Sequence, residues 1–172
     1  MNRDRLIFLG ALLVGVITAV IIVVATGGDD DGSSSSGDVD TSTKPTVEVP
    51  DGPPPDALET TDIVEGDGAE AQSGGTVTMQ YVGVNYSNGE EFDTSWGKPE
   101  PFSFQLGSGQ VIPGWDEGIP GMKVGGRREL VIPPDLAYGE AGSPPDIGPN
   151  ETLVFVVDLV DAQPPGAAAP AP

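Results

Sequence analysis

Hydrophobic and polar residues alternate most clearly between Thr76 and Asn85. Val77, Met79 and Tyr81 fall on one face of this segment, and polar residues stand between them. A period of two places successive side chains on opposite faces of an extended chain, which is typical of a half-buried β-strand. The pattern therefore predicts a strand with one face towards a core.

Four shorter segments continue the alternation, and turn-forming glycine, proline and asparagine residues separate them. They are Glu90–Asp93, which follows the hairpin sequence Asn88-Gly89, Phe102–Leu106, Glu129–Ile132 and Leu153–Leu159. An Asn-Gly pair is a strong signal for a tight antiparallel hairpin. In the last segment Asp158 lies opposite the apolar residues, so we expect that face to meet water.

One short helix is predicted, beginning near Pro113 and carrying Trp115 and Ile119. Proline suits the first turn of a helix, because an N–H there has no partner within the helix. Pro120 and Gly121 end the helix soon afterwards. Together with the strands, this predicts the α+β class, an antiparallel sheet with one short helix covering one face.

The N-terminal segment Leu6 to Ala25 has no charge and no proline. A helix of this length crosses roughly 30 Å of hydrocarbon. Arg3 and Arg5 precede the segment and Asp29–Asp31 follow it, so the positive-inside rule places the N-terminus in the cytoplasm. We predict a single-pass signal anchor in the cell membrane, with the rest of the chain outside the cytoplasm.

Two alternatives to this anchor are a cleaved signal peptide and a buried core helix. The small residues Val23 and Ala25 suit a cleavage site, and cleavage would make the protein secreted. A core helix is disfavoured because the segment is apolar on all sides. Export follows from either an anchor or a signal peptide.

The composition divides the chain into four parts. After the anchor, serine, glycine, proline and acidic residues dominate, with too few large apolar residues to offset the entropy of ordering. The predicted parts are the anchor 1–26, a disordered acidic linker 27–57, one folded domain 58–162 and a disordered Pro/Ala tail 163–172.

Charge and residue content exclude several kinds of function. The net charge of −20 argues against binding to nucleic acid, which requires clusters of lysine and arginine. The chain has no cysteine and no histidine, which excludes disulfides, zinc sites with Cys or His ligands and a Ser-His-Asp triad. We expect no metal and no cofactor.

Seven short motifs between Ile63 and Val160 occur in the order and spacing of one known family. They are Gly66-Asp67-Gly68, Tyr81-Val82-Gly83, Gly89 with Phe92-Asp93-Thr94-Ser95, Pro101 to Phe104, Val111 to Gly118, Ala137-Tyr138-Gly139 and Thr152 to Phe155. This set resembles the FKBP family of peptidyl-prolyl cis/trans isomerases. The resemblance implies a bent antiparallel sheet wrapped around the short helix, with an apolar pocket for a proline ring between them.

The resemblance also implies a set of site residues. Catalytic roles are implied for Tyr81, Asp93, Ile112, Trp115, Tyr138 and Phe155, and substrate-binding roles for Phe92, Phe102, Gln110, Val111 and Ile147. Trp115 would form the floor of the pocket. The Ile112 N–H and the Tyr138 hydroxyl would bind substrate carbonyl oxygens. Phe104 is expected to be a core residue.

Four positions depart from the pattern of the family: Lys98, Gln110, Ser143 and Asp146. We expect them at the rim of the pocket, where they bear on substrate preference and macrolide affinity. By contrast, Lys123, Arg127 and Arg128 are expected to form a solvated surface. The implied ligands are proline-containing polypeptides and macrolide inhibitors, and we expect a monomer.

An apolar pocket suits this chemistry because an amide loses resonance, and with it charge on its oxygen, as it twists. A dry site therefore disfavours the planar amide, and no nucleophile is needed. Isomerisation limits the folding of some proteins, so the expected role is to assist folding of exported chains. The alternatives are a non-catalytic chaperone or peptide-binding module on the same fold and a purely structural cell-surface sandwich.

Overall fold

The computed structural model describes residues 40–167, which contain six strands, one α-helix and two short 3-10 turns. The strands are β1 Glu59–Val64, β2 Thr76–Asn85, β3 Glu91–Thr94, β4 Phe102–Gln105, β5 Arg127–Ile132 and β6 Leu153–Gln163. The helix α1 is Pro113–Gly118, and the 3-10 turns are Pro134–Leu136 and Gly139–Ala141. The predicted α+β fold, an antiparallel sheet with a short helix, is confirmed.

The strands form one antiparallel sheet in the order β1-β5-β6-β2-β3, and β4 pairs with β2 beside this path. Strands β2 and β6 pair over their whole length, from Thr76 opposite Gln163 to Asn85 opposite Leu153. This pair forms the middle of the sheet. The residues of both strands that face the helix supply nearly half of the buried residues of the inner core.

Strand β1 was not predicted from the alternation. Five of its six residues are exposed, so it has no apolar face that a sequence pattern could reveal. It forms by pairing with β5, with Glu59 opposite Val131. Because an edge strand gains its order from backbone hydrogen bonds, its sequence alone is a weak guide.

The helix lies against β5 at a distance that only glycine permits. A Cβ atom on Gly114 would lie 2.4 Å from Cγ2 of Ile132, and one on Gly118 would lie 2.8 Å from Cδ2 of Leu130. This close approach brings the helix onto the inner face of the sheet. It thereby places Trp115, which lies between the two glycines, inside the core.

The outer face of the sheet carries a second apolar cluster. Four valines, two of them fully buried, share this face: Val82, Val84, Val131 and Val154. Residues 43–50, which we call the strap, belong to the linker predicted over 27–57 and have no helix or strand. Val47 and Val49 of the strap pack on the four valines.

Side-chain hydrogen bonds fasten the strap to the sheet. Lys44 forms an ion pair with Glu91, with 2.8 Å between Nζ and Oε2, and the Tyr86 hydroxyl donates to the Pro50 carbonyl at 3.0 Å. The outer face is therefore covered by the protein's own chain along much of β2 and β6.

The predicted solvent exposure of Asp158 and Arg127 is wrong. Asp158 is 3% exposed and Arg127 5% exposed, and the guanidinium donates to both carboxylate oxygens, at 2.5 and 3.0 Å. Arg127 also donates to the Thr43 carbonyl at 2.9 Å, so the strap closes over the pair. Burial raises the pKa of Asp158, and the hydrogen bonds from Arg127 oppose that effect.

No helix within residues 40–167 is long and apolar enough to cross a membrane. The predicted anchor 1–26, the first part of the linker and residues 168–172 of the tail lie outside the described residues.

Candidate active site

An aromatic cluster covers the helix side of the sheet, with Trp115 at its centre. The centre of its ring system lies 5.1 Å from that of Tyr81, 5.2 Å from Phe155, 5.8 Å from Phe104 and 6.0 Å from Phe102. The Tyr81 and Phe155 rings meet it edge to face, which is a favoured geometry for aromatic pairs. The cluster joins α1, β2, β4 and β6 in one apolar surface.

Burial divides this cluster into a floor and a rim. Trp115, Phe155 and Tyr81 are nearly inaccessible, whereas Phe102 is 39% exposed and Tyr138, on the neighbouring loop, is 42% exposed. Phe104 is buried behind Trp115, as predicted for a core residue. The cluster therefore presents a buried apolar floor, with the exposed Phe102 ring beside it and the exposed Tyr138 ring on the neighbouring loop.

Gly83 allows two of these rings to lie against the sheet. It pairs with Phe155 on β6, and a Cβ atom there would lie 2.6 Å from Cε1 of Phe155 and 2.7 Å from Cζ of Phe92. Any other residue would push the rings away from the strand. This steric requirement explains the glycine in the Tyr81-Val82-Gly83 motif.

A β-bulge turns two neighbouring residues of β3 towards the site. The register passes from Gly83 opposite Asp93 to Val84 opposite Glu91, which leaves Phe92 as the extra residue. Strict alternation would place Phe92 and Asp93 on opposite faces. With the bulge, the Phe92 ring packs edge-on at 5.4 Å from Phe155, while Asp93 reaches Tyr81.

Asp93 accepts hydrogen bonds from both sides of the site. The Tyr81 hydroxyl donates to Oδ2 at 2.5 Å, and the Lys98 ammonium lies 3.0 Å from Oδ1. Lys98 also lies 5.8 Å from the centre of the Tyr81 ring. Lys98, noted as a departure from the family pattern, thus provides a cation for the Asp93 carboxylate.

These contacts move the pKa values of Asp93 and Tyr81 apart. Burial pulls the pKa of Asp93 upward, but the hydrogen bonds from Tyr81 and Lys98 outweigh it and hold this pKa below its usual value. Burial, the hydrogen bond to Asp93 and the Asp93 charge raise the pKa of Tyr81. At neutral pH the pair is therefore a phenol that donates to a carboxylate.

Sequence reasoning gave no role to Ser95, although it lies in one of the motifs. It is 1% exposed, accepts a hydrogen bond from the Tyr81 N–H at 2.8 Å and donates to the Gln80 side chain. The neighbouring Thr94 hydroxyl donates to the Tyr81 carbonyl at 2.8 Å. Both groups fix the backbone of Tyr81. The two consecutive hydroxyl-bearing residues after Asp93, Thr94 and Ser95, were the feature of the sequence that could have indicated this role.

The segment before the helix contains Ile112, whose backbone N–H was predicted to bind a substrate carbonyl oxygen. Ile112 has extended dihedrals and caps α1, with its carbonyl accepting from the Trp115 N–H at 3.0 Å. Nothing within residues 40–167 accepts a hydrogen bond from the Ile112 N–H. Val111 and Ile112 are half-buried against the core. Gln110 is exposed and accepts from the Gln105 N–H at 3.2 Å.

The loop after β5 brings Tyr138 to the rim and Ile147 into the core. Ile147 is 4% exposed, and its backbone exchanges two hydrogen bonds with Ser143, at 2.9 and 3.0 Å. Ile147 therefore anchors the loop beneath its surface. The roles predicted for Gln110 and Ile147 in substrate binding stay predictions.

No group of three or more His, Cys, Asp or Glu side chains within residues 40–167 is placed to hold a metal ion.

Comparisons with known proteins agree with this arrangement. Residues 68–160 match the model of a family described as FKBP-type peptidyl-prolyl cis-trans isomerase. An FK506-binding protein of Streptomyces anulatus is 60% identical over 118 residues, which cover 68% of this chain and 95% of that protein. A probable FK506-binding protein of Corynebacterium glutamicum is 52% identical over 119 residues, which cover 69% of this chain and 98% of that protein.

The fold is also similar to that of solved structures. The crystal structure of AtFKBP13 aligns with a TM-score of 0.56 and 39% sequence identity, covering 60% of this chain and 91% of that one.

Proposed function

This chain belongs to the FKBP-type peptidyl-prolyl cis-trans isomerase family, and from that premise we propose that it assists the folding of exported polypeptides by rotating their X-Pro bonds over the aromatic floor. The supporting observation is the cluster centred on Trp115, whose buried floor is bordered by exposed rings. A prolyl ring is apolar and flat enough to lie on such a surface.

The floor lowers the barrier by disfavouring the planar amide. A planar amide carries more charge on its oxygen than a twisted one, so its transfer to an apolar surface costs more. The site therefore stabilises the twisted form relative to the planar one, which is differential binding of the transition state. Each difference of about 1.4 kcal/mol gives a tenfold increase in rate.

The polar groups around the floor orient the substrate. The Ile112 N–H, which has no partner in the described part of the chain, is proposed to donate to a substrate carbonyl, and so is the exposed Tyr138 hydroxyl. Asp93 holds the Tyr81 ring at the edge of the floor through its hydrogen bond. None of these groups needs to gain or lose a proton.

The test uses two substrates and the purified full-length chain. We expect faster cis/trans conversion of a Leu-Pro peptide and faster refolding of a protein whose slow phase is limited by proline isomerisation. Acceleration of the peptide without effect on the protein would limit the function to short chains. Suppressed aggregation without acceleration of either substrate would favour the non-catalytic chaperone.

The position outside the cytoplasm belongs to the same proposal. It rests on the uncharged run Leu6 to Ala25 and the charges on its two sides. Protease added to intact cells should remove a C-terminal epitope while the membrane stays closed. A protected epitope would contradict export, and an epitope recovered only from the culture medium would indicate cleavage.

Macrolide binding is proposed because the relatives are named FK506-binding proteins and because the aromatic floor is intact. Quenching of tryptophan fluorescence by FK506 should saturate, and the bound macrolide should inhibit peptide isomerisation in proportion to occupancy. Inhibition without saturation would contradict one shared site.

Isomerase activity is expected to be independent of pH between about pH 5.5 and pH 8.5. The lowered pKa of Asp93 keeps it ionised through this range, the raised pKa of Tyr81 keeps it protonated, and the chain has no histidine. Because the pKa of Asp93 is lower in the folded protein than in the unfolded chain, the ionised Asp93 stabilises the fold at higher pH. This contribution to stability is lost as the pH falls through the lowered pKa. Exchange spectroscopy by NMR on a peptide without titratable groups measures the rate. An inflection within this range would show that another group takes part.

A further inference from the structure

The strap lies on the outer face of the sheet directly behind the aromatic floor. Successive residues of a strand point to opposite faces, so each floor residue of β2 and β6 has outward-pointing neighbours. Val82 follows Tyr81 on β2, and Val154 precedes Phe155 on β6. Both valines belong to the apolar cluster on which the strap packs. The strap therefore rests on the sequence neighbours of the residues that form the floor.

The strap also reaches β3, which pairs with β2 at the end of the sheet path. Nζ of Lys44 lies 2.8 Å from Oε2 of Glu91, the residue before Phe92. At the hairpin between β2 and β3, a Cβ atom on Gly89 would lie 3.8 Å from Cγ2 of Val49. The bulge that turns Phe92 towards the floor begins at Glu91. The strap thus contacts β3 from the outside at the point where its register changes.

Side-chain contacts hold the strap in place. Val47 and Val49 are half-buried, whereas Thr46 and Glu48 beside them are exposed. No backbone–backbone hydrogen bond involves the strap within the described part of the chain. A segment with few buried apolar groups and no backbone pairing opens more readily than the paired strands of a sheet. The strap therefore has a docked and an undocked state, and Val47 and Val49 favour the docked one.

We propose that the docked strap is a positioning element of the active site. Its contacts with the outer face keep β2 and β3 in the arrangement that places Tyr81, Phe92 and Asp93 around the floor. Val47 and Val49 are then positioning residues, since the sheet separates them from the peptide. Docking of the strap and binding of a peptide on the inner face favour each other. This rests on the proposed function, because the coupling is defined by an X-Pro peptide on the floor.

The first test compares V47D, T46D and V47I in the purified full-length chain. V47D places a carboxylate against the apolar outer face, where its burial is costly, so the strap undocks. We expect kcat/KM for a Leu-Pro peptide to fall by about three- to tenfold, because a displacement of about 1 Å at positioning groups can cost as much as about 100-fold. T46D adds the same charge at an exposed position, and V47I keeps the apolar contact, so both should retain full activity. Circular dichroism checks that each variant is folded at the assay temperature.

The second test measures docking of the strap itself. The chain has no cysteine, so the thiol of V47C is a single reporter, and it reacts fastest with a thiol reagent when the strap is undocked. A Leu-Pro peptide at several times its KM should slow the labelling of V47C by about two- to fivefold, near the lower end of typical couplings between two sites. A strap with a merely structural role would be labelled at the same rate with and without the peptide. The thiol of T46C lies at an exposed position, so the peptide should leave its labelling rate unchanged.

Three results would overturn the coupling. They are an unchanged kcat/KM in folded V47D, an equal loss in T46D, which would assign the effect to the added charge, and labelling of V47C that the peptide does not slow. Isomerisation of the Leu-Pro peptide by the unmodified chain tests the proposed function separately. Its absence rejects the proposed function and the coupling together, whereas full isomerisation with unchanged labelling rejects the coupling alone.

Discussion

Replacing Trp115 with alanine is expected to lower kcat/KM for a Leu-Pro peptide by roughly 10- to 100-fold, which corresponds to about 1.4 to 2.8 kcal/mol. The indole contacts four aromatic rings and forms the buried floor under the proposed prolyl site. Its removal lets water or shifted rings into the space, so the site no longer offers an apolar surface to the amide.

The same change also destabilises the fold by about 3 to 5 kcal/mol, so activity must be compared among folded variants. Phe104→Leu is the matched control, because Phe104 contacts Trp115 from the buried side and leaves the floor in place. Circular dichroism establishes that each variant is folded at the assay temperature. Equal losses of activity in the two folded variants would show that the floor itself is not the catalytic element.

Arg127→Met is expected to lower the free energy of unfolding by about 3 to 5 kcal/mol. The change leaves the Asp158 carboxylate, which is 3% exposed, without its two hydrogen bonds from the guanidinium. It also removes the hydrogen bond that holds the Thr43 carbonyl of the strap. Urea unfolding followed by circular dichroism measures the loss.

Two further variants distinguish the cost of an unpaired buried charge from the cost of losing an ion pair. Arg127→Met combined with Asp158→Leu should recover most of the stability, because an apolar pair of similar volume replaces a buried ion pair at little cost. Lys123→Met breaks an exposed pair with Glu65, so its cost should stay below about 1 kcal/mol. Similar costs for Arg127→Met and Lys123→Met would mean that water reaches Asp158.

The strands near the site were predictable because the pattern that indicates each one lies within its own few residues. The alternation at Val77, Met79 and Tyr81 marks the inner face of β2, and these residues are buried as the pattern predicts. Pro113 marks the start of the helix for an equally local reason, since proline lacks the N–H that the first turn leaves unused. The order of the motifs then indicated the family, which the comparisons confirm.

The outer face of the sheet was not predictable in this way. The sequence pattern predicts that Asp158 is exposed. It is buried because Arg127 reaches it from the neighbouring strand and the strap covers both residues. Val82 and Val84 are likewise buried, because Val47 and Val49 of the strap pack on this face. These partners are distant in sequence, and a periodic pattern carries no information about them.

The sequence by itself determined five of the six strands, where the helix begins and which aromatic residues belong to one family pattern, because each depends on neighbours within a few positions. Only the tertiary structure decided that Phe92 and Asp93 share one face, through a bulge set by the pairing with β2. It also decided that Ser95 holds the backbone of Tyr81. Bulges, buried ion pairs and covered faces are properties of contacts between strands, which exist only once the chain has folded.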